Sequence, residues 1–197
     1  MEETEIAAAI AALAAEEGEA RERAARAVYE AGCAAALDAT GPWRADKELA
    51  SLLIRRPTVG VAVRPESFER IRKAWGSPPL ADVPAEHHAR EFELGRGAGV
   101  SLDILTTEEG RGGGAIERFL ARRGEGIQQV ELPVADVERA TVLVRERFAL
   151  EAAYSEARRG ADGTRVNFFL VTAGGGGKVL IELVEEGGKP DDPNSAI

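Results

Sequence analysis

The chain is 197 residues long, with 25 basic and 34 acidic side chains and a net charge of −9 at neutral pH. That length suits one domain or two small modules, and 44% apolar residues supply a buried core, which excludes a wholly disordered chain. The acidic balance excludes a nucleic-acid partner held through phosphates, because such binding exchanges Lys and Arg for counterions. The one cysteine, Cys33, closes no internal disulfide and builds no thiolate zinc site alone, so a reduced, cytoplasmic protein is expected. Residues 6–15 are the one long apolar run, mostly alanine and about half of the roughly 20 residues a membrane span needs. The run follows an acidic start, so neither an export signal nor a membrane anchor is expected.

Residues 1–55 differ in composition from the rest, being rich in Ala, Glu and Arg. Ile6, Ile10, Leu13, Val28 and Leu37 stand at near-helical spacing, which predicts a helix broken or bent around Gly18 and Gly32 and stopped by Gly41-Pro42. A short amphipathic piece follows, with Leu49, Leu52 and Leu53 on one face. The alanine-rich face is too small to form a core alone, so this helical extension is expected to pack on the rest of the chain or on a second copy.

From Pro57 the texture changes to β-branched runs punctuated by Gly and Pro. Residues 59–63 read as a strand and 66–75 as a helix, ended by Pro78-Pro79. Residues 88–94 and 100–105 read as strands joined by the glycine-bearing turn 95–99. A flexible link at 110–114 leads to a short helix over 115–123. The pattern then restarts, with a strand at 130–134, a helix at 135–147, and strands at 165–171 and 179–184 around the turn 174–177.

The second half repeats the first. Thr58-Val59-Gly60-Val61-Ala62-Val63 aligns with Gln129-Val130-Glu131-Leu132-Pro133-Val134, and residues 100–105 align with 179–184. Two copies of strand, helix and three strands are implied, and such repeats usually relate by an approximate two-fold axis. Strand side chains alternate faces, so Ser101 and Asp103 point away from Leu102 and Ile104, and Glu182 points away from Ile181. An acid between apolar strand neighbours is costly to bury unless it faces water, a cavity or a partner. The repeat singles out Thr58 and Gln129 on the first strand of each copy and Asp103 and Glu182 on the last. A pseudo-two-fold would bring these four to one cleft, whereas ordinary solvated strand positions are the plain alternative.

Arg118-Phe119-Leu120-Ala121-Arg122-Arg123-Gly124-Glu125-Gly126-Ile127-Gln128-Gln129, then Asp136-Val137-Glu138, then Gly163-Thr164-Arg165-Val166-Asn167-Phe168-Phe169 and finally Val179-Leu180-Ile181-Glu182-Leu183-Val184 resemble methylmalonyl-CoA epimerase. That family lies in the vicinal oxygen chelate superfamily, with glyoxalase I, extradiol dioxygenases and bleomycin-resistance proteins. The resemblance spans residues 57–186, specific in the second half and a matter of pattern in the first. It implies an α+β fold of two paired βαβββ modules, 57–110 and 125–186, that form a curved mixed sheet around a cleft. The expected domains are a helical extension over 1–55, a vicinal oxygen chelate domain over 56–188 and a flexible tail over 189–197.

The resemblance also implies a divalent metal held by two histidines, a Gln or Glu and a terminal glutamate. Carried over, these fall on Thr58, Gln129, Asp103 and Glu182, so only Glu182 is retained and both imidazoles are gone. Asp103, Gln129 and Glu182 form an all-oxygen set suited to a hard ion such as Mg²⁺, Mn²⁺ or Ca²⁺. The expected cofactor is therefore a divalent metal (Mg²⁺, Mn²⁺ or the family's Co²⁺) or none. The only histidines, His87 and His88, are adjacent, and neighbours on a regular strand face opposite sides and cannot share one metal.

Glu86 falls near the catalytic glutamate of the epimerases, and it or a histidine beside it would abstract a proton next to a carbonyl. A surface turn is the alternative. Arg90, Gln129 and Thr58 are candidate donors to the enolate oxygen or substrate, and Arg111, Arg122 and Arg123 either meet phosphates of a CoA-like ligand or are merely solvated. The expected function is an epimerase-like isomerase or lyase acting on a carbonyl or acyl-CoA-type small molecule, with Glu86 and Glu182 catalytic. The alternative is a metal-free small-molecule binding protein of the resistance type. No membrane or nucleic-acid partner is expected, and a homodimer is.

Overall fold

The protein is described by a computed structural model, which covers residues 3–54, 56–95, 99–108, 113–174 and 176–186. Three helices come first: α1 (Glu3–Ala12), α2 (Gly18–Ala45) and α3 (Lys47–Leu52). Strand β1 (Thr58–Ala62), helix α4 (Pro65–Ala74), and strands β2 (Ala89–Leu94) and β3 (Leu102–Thr107) follow, then helix α5 (Ala115–Arg123). The second half holds β4 (Gly126–Val134), α6 (Val137–Phe148), the two-residue β5 (Arg158–Arg159), β6 (Arg165–Thr172) and β7 (Lys178–Glu185). The fold is α+β, as the repeat implies. The chain divides into two compact units, Met1–Ala34 with Thr58–Val130 and Ala35–Pro57 with Glu131–Ile197. Helix α2 and strand β4 each run from one unit into the other.

In the first unit the strand order is β2-β3-β1, with the first half of β4 next to β1. β3 runs antiparallel to β2 and parallel to β1, so Asp103 has Glu93 on one side and Gly60 on the other. One face carries the buried Val59, Val61, Phe92, Leu94, Leu102 and Ile104, and helices cover it. Phe68 of α4 meets Phe92 edge-on, with ring centroids 4.7 Å apart. The N-terminal helices pack on their own chain: Ile10 and Leu13 are buried, and the Trp75 indole N–H donates to the Leu13 carbonyl at 2.9 Å.

In the second unit the order is the second half of β4, then β7-β6-β5. β6 and β7 are antiparallel, with Phe168 opposite Glu182. Trp43 of α2 is 1% exposed and packs edge-on against Phe169 of β6 at 5.8 Å and at a tilt against Phe148 of α6 at 6.3 Å. Asp46 caps α3 by accepting from the Glu48 and Leu49 amides, and Arg147 of α6 reaches it at 2.5 Å. Arg139 and Arg147 both pair with Glu48. The Leu49 amide and then Arg147 hold the Asp46 carboxyl below its ordinary range, and Arg139 followed by Arg147 does the same for Glu48.

Several local expectations are corrected. α2 breaks neither at Gly32 nor at Gly41-Pro42 but runs 28 residues, with Pro42 inside it. Gly32 is there for close approach: a Cβ would lie 2.5 Å from a Val59 methyl. Burial of Ala36, Ala39, Thr40 and Trp43 carries the helix past Pro42, so packing overrides local propensity. His87 and His88 are not strand residues. His87 ends a 3-10 turn (Ala85–His87), His88 has a left-handed backbone (φ 52°), and β2 starts at Ala89. In the first unit β2 and β3 are two of the three strands expected after the helix, and between α4 and β2 the Ala81 N–H donates to the Glu91 carbonyl at 3.0 Å. Residues 96–98 of the turn 95–99, 110–112 of the glycine link, Gly175 and the tail 189–197 lie outside the described residues.

Candidate functional site

In the first unit, strand alternation turns one set of side chains away from the helix-covered face. These are Glu91 and Glu93 of β2, Asp103 and Leu105 of β3, Ser101 just before it, and Thr58, Gly60 and Ala62 of β1. Gln129 of β4 joins them, because a Cβ on Gly60 would come within 2.6 Å of its Cγ. Gly60 thus leaves room for the Gln129 side chain to lie across β1. The Thr58 and Ser101 hydroxyls are 3.0 Å apart, and Ser101 Oγ lies 3.5 Å from Glu93 Oε1. Asp103 is only 7% exposed, whereas Thr58, Glu91, Glu93, Ser101 and Gln129 are half-buried. At one end Ala62 and Leu105 pack with Ile116, Phe119 and Leu120 of α5, which gives the face an apolar margin.

In the second unit the corresponding acid is Glu182 of β7, also 7% exposed. Its surroundings differ. The residues on its face include Val166, Phe168 and Leu170 of β6 and Leu180 and Val184 of β7, and alternation along the neighbouring β4 puts Glu131 on the same side as Gln129. Leu170 is 53% exposed, so this face presents hydrocarbon to solvent. Tyr154 stands edge-on to Phe168 at 6.0 Å, and the Arg158 guanidinium lies 4.2 Å over the Tyr154 ring.

The expected site residues therefore separate into three groups. Thr58, Asp103 and Gln129 share one face of the first unit, and Glu182 occupies the matching strand position of the second. Arg90 is not on the polar face: it pairs with Glu69 at 2.7 Å and lies 4.9 Å over Phe68, on the α4 side. The reason is alternation, which groups Arg90 with Phe92 and Leu94. Glu86 is exposed in the 3-10 turn before β2 and stands on no strand face. Arg122 and Arg123 are exposed in the last turn of α5, where they complement the negative end of the helix dipole, and Arg111 lies outside the described residues. Glu91 and Glu93 were missed, although the same alternation that sets Arg90 aside would have found them.

No family model matches the chain, and no curated protein is similar to it in sequence. Solved structures are. A methylmalonyl-CoA epimerase from Mycobacterium tuberculosis is 29% identical with a TM-score of 0.55, over 68% of this chain and 90% of that one. A variant of the Streptomyces coelicolor enzyme in complex with 2-nitronate-propionyl-CoA is 27% identical with a TM-score of 0.55, over 68% and 95%. A methylmalonyl-CoA epimerase in complex with methylmalonyl-CoA and NH4+ is 27% identical with a TM-score of 0.54, over 68% and 95%. The fold is that of the vicinal oxygen chelate superfamily. Within it the chain is a distant likeness of methylmalonyl-CoA epimerase.

The donor set does not fit the metal that this likeness implies. Thr58 and Gln129 stand where imidazoles are expected, and the Thr58 hydroxyl is engaged by Ser101. Among the described residues no three His, Cys, Asp or Glu side chains are grouped so as to hold a metal ion. Nor is any described helix long and apolar enough to cross a membrane.

Proposed function

We propose that the protein acts on a carbonyl or acyl-CoA-type small molecule by abstracting a proton beside the carbonyl, as an epimerase-like isomerase. One observation carries the reading: the two acids at equivalent repeat positions, Asp103 and Glu182, are each 7% exposed although each stands between two buried apolar residues of its strand. Burying a carboxylate costs stability and persists where it has work to do. The likeness to epimerases holding acyl-CoA ligands supports the substrate class. The NH4+ held together with methylmalonyl-CoA in one of them is a precedent for a monovalent cation in this fold.

In this reading Glu182 is the candidate base of the second unit, taking the α-proton and returning one to the carbon, and Asp103 is the equivalent candidate of the first. Developing charge on the enolate oxygen is the main barrier, and positioned donors lower it. On the Asp103 face Thr58 and Gln129 are the candidate donors for that task, and Arg90 is set aside because Glu69 and Phe68 hold it. Glu86, exposed, is the alternative base that the family alignment suggests. Homodimer formation and a cytoplasmic location remain part of the proposal. Incubation with propionyl-CoA and methylmalonyl-CoA in D₂O should give deuterium at the α-carbon by mass spectrometry; no incorporation above the buffer rate would remove the reading. A binding-only role is favoured by the loss of both imidazole positions. It would show as a ligand-induced rise in melting temperature, unaffected by EDTA, without exchange.

A further inference from the structure

We propose that the uncovered face of the second unit binds an amphipathic monocarboxylate, with its apolar body over β6 and β7 and its carboxylate on Arg158. The inference goes beyond the acyl-CoA reading and needs no proton transfer. Residues directly opposed across an antiparallel pair share a face. Arg158 is opposite Val166, and Val166 is opposite Val184, so the guanidinium stands on the same face as Phe168, Leu170 and Leu180. Arg159 and Arg165 are opposed on the other face, where Arg165 pairs with Glu138 and Glu185. Leu170 is 53% exposed and Phe168, Leu180 and Val184 are half-buried, which leaves a run of hydrocarbon open to a ligand.

The head group follows from the arginine. Among the described residues Arg158 donates to no carbonyl and pairs with no carboxylate; it stacks 4.2 Å over the Tyr154 ring, which stands edge-on to Phe168. Stacking holds the planar guanidinium at the margin of the hydrocarbon and leaves its N–H fork for an anion. A carboxylate fits that fork in shape and matches its single charge, whereas a phosphate dianion carries more charge than one guanidinium balances. From β5 to β7 the face is two strand spacings across, about 10 Å, the reach of a medium-length alkyl chain. Lys178, opposite Thr172 at the β6–β7 tip, is the other cation of this face among the described residues, a flexible point charge without a fork.

Calorimetry on the full chain tests this with octanoate, octylammonium and acetate, each below micelle formation. Octanoate should bind at least tenfold tighter than either of the others. The chain carries a net charge of −9, so general electrostatics favour the ammonium probe, and a local cation is needed to reverse that order. In Arg158→Gln the preference for octanoate over octylammonium should vanish or invert, and in Lys178→Gln it should stay. Leu170→Asn should weaken octanoate at least threefold, and methyl NMR should show octanoate shifting Leu170, Leu180 and Val184. Octylammonium binding as tightly as octanoate, a preference that survives Arg158→Gln, one lost in Lys178→Gln instead, or shifts at other methyls only would overturn the inference. Octyl phosphate binding tighter than octanoate would overturn the choice of carboxylate. Octanoate binding without α-proton exchange on acyl-CoA sustains this inference and removes the acyl-CoA reading; exchange without octanoate binding does the reverse.

Discussion

The two units place an acid at the same strand position with the same burial, and surround it with different chemistry. Asp103 has a carboxylate directly across the strand pair, two hydroxyls and an amide on its face. Glu182 has a phenyl ring directly across and Leu180 and Val184 on either side along its strand. The helix-covered faces each hold an edge-on aromatic pair: Phe68 on Phe92 in one unit, Trp43 on Phe169 in the other. The ring pairs come from different sources, because Phe68 stands on α4 of the repeat whereas Trp43 stands on α2 of the helical extension. Shared architecture with divergent faces is how one fold takes different ligands.

If the helix-covered faces are equivalent, removing their central rings should cost the same. Phe92→Ala and Trp43→Ala are each expected to lose about 3–5 kcal/mol in urea denaturation. A loss several-fold smaller in one unit would break the equivalence. The uncovered faces should respond in opposite ways. Glu182→Leu extends a hydrocarbon surface and should leave the melting temperature unchanged or raised, because a well-packed apolar group often replaces a buried charge without loss. Asp103→Leu removes a polar partner among polar neighbours and should cost about 1–3 kcal/mol. Equal responses would mean that the two faces are less different than their residues suggest.

The smallest effect concerns the α3–α6 clamp of the second unit, which has no counterpart among the described ion pairs of the first. Asp46 and Glu48 have carboxyls lowered by the Leu49 amide, Arg139 and Arg147. A lowered folded-state value means a contribution fully present above the ordinary carboxylate range and lost as pH falls through the lowered values. Arg147→Ala should therefore destabilise at neutral pH, and its difference from wild type should shrink in acid. A difference that stays constant down to the acid limb would contradict the clamp.

Much of this fold is legible in the residues, and for a local reason. β-Branched alternation between Gly and Pro marks the strands, and aligning 100–105 with 179–184 is enough to pair Asp103 with Glu182. What is illegible is non-local. The continuation of α2 through Gly32 and Pro42 depends on Val59 and Phe169, distant in the chain. The Thr58–Ser101 contact depends on the parallel register of β1 with β3. The second acid of the polar face, Glu93, follows from alternation within β2, yet its partnership with Asp103 needs the antiparallel register. Arg90 shows the opposite error, a suitable charge on an unsuitable face.

The most direct test of the account is the rate of α-proton exchange on an acyl-CoA substrate, followed by NMR in D₂O for wild type, Asp103→Asn and Glu182→Gln. A positioned acid or base contributes about 10²–10⁴-fold. Both variants, folded by circular dichroism, should lose at least a hundredfold. Full exchange in either variant would contradict the claim that the two repeat-related carboxylates carry the chemistry.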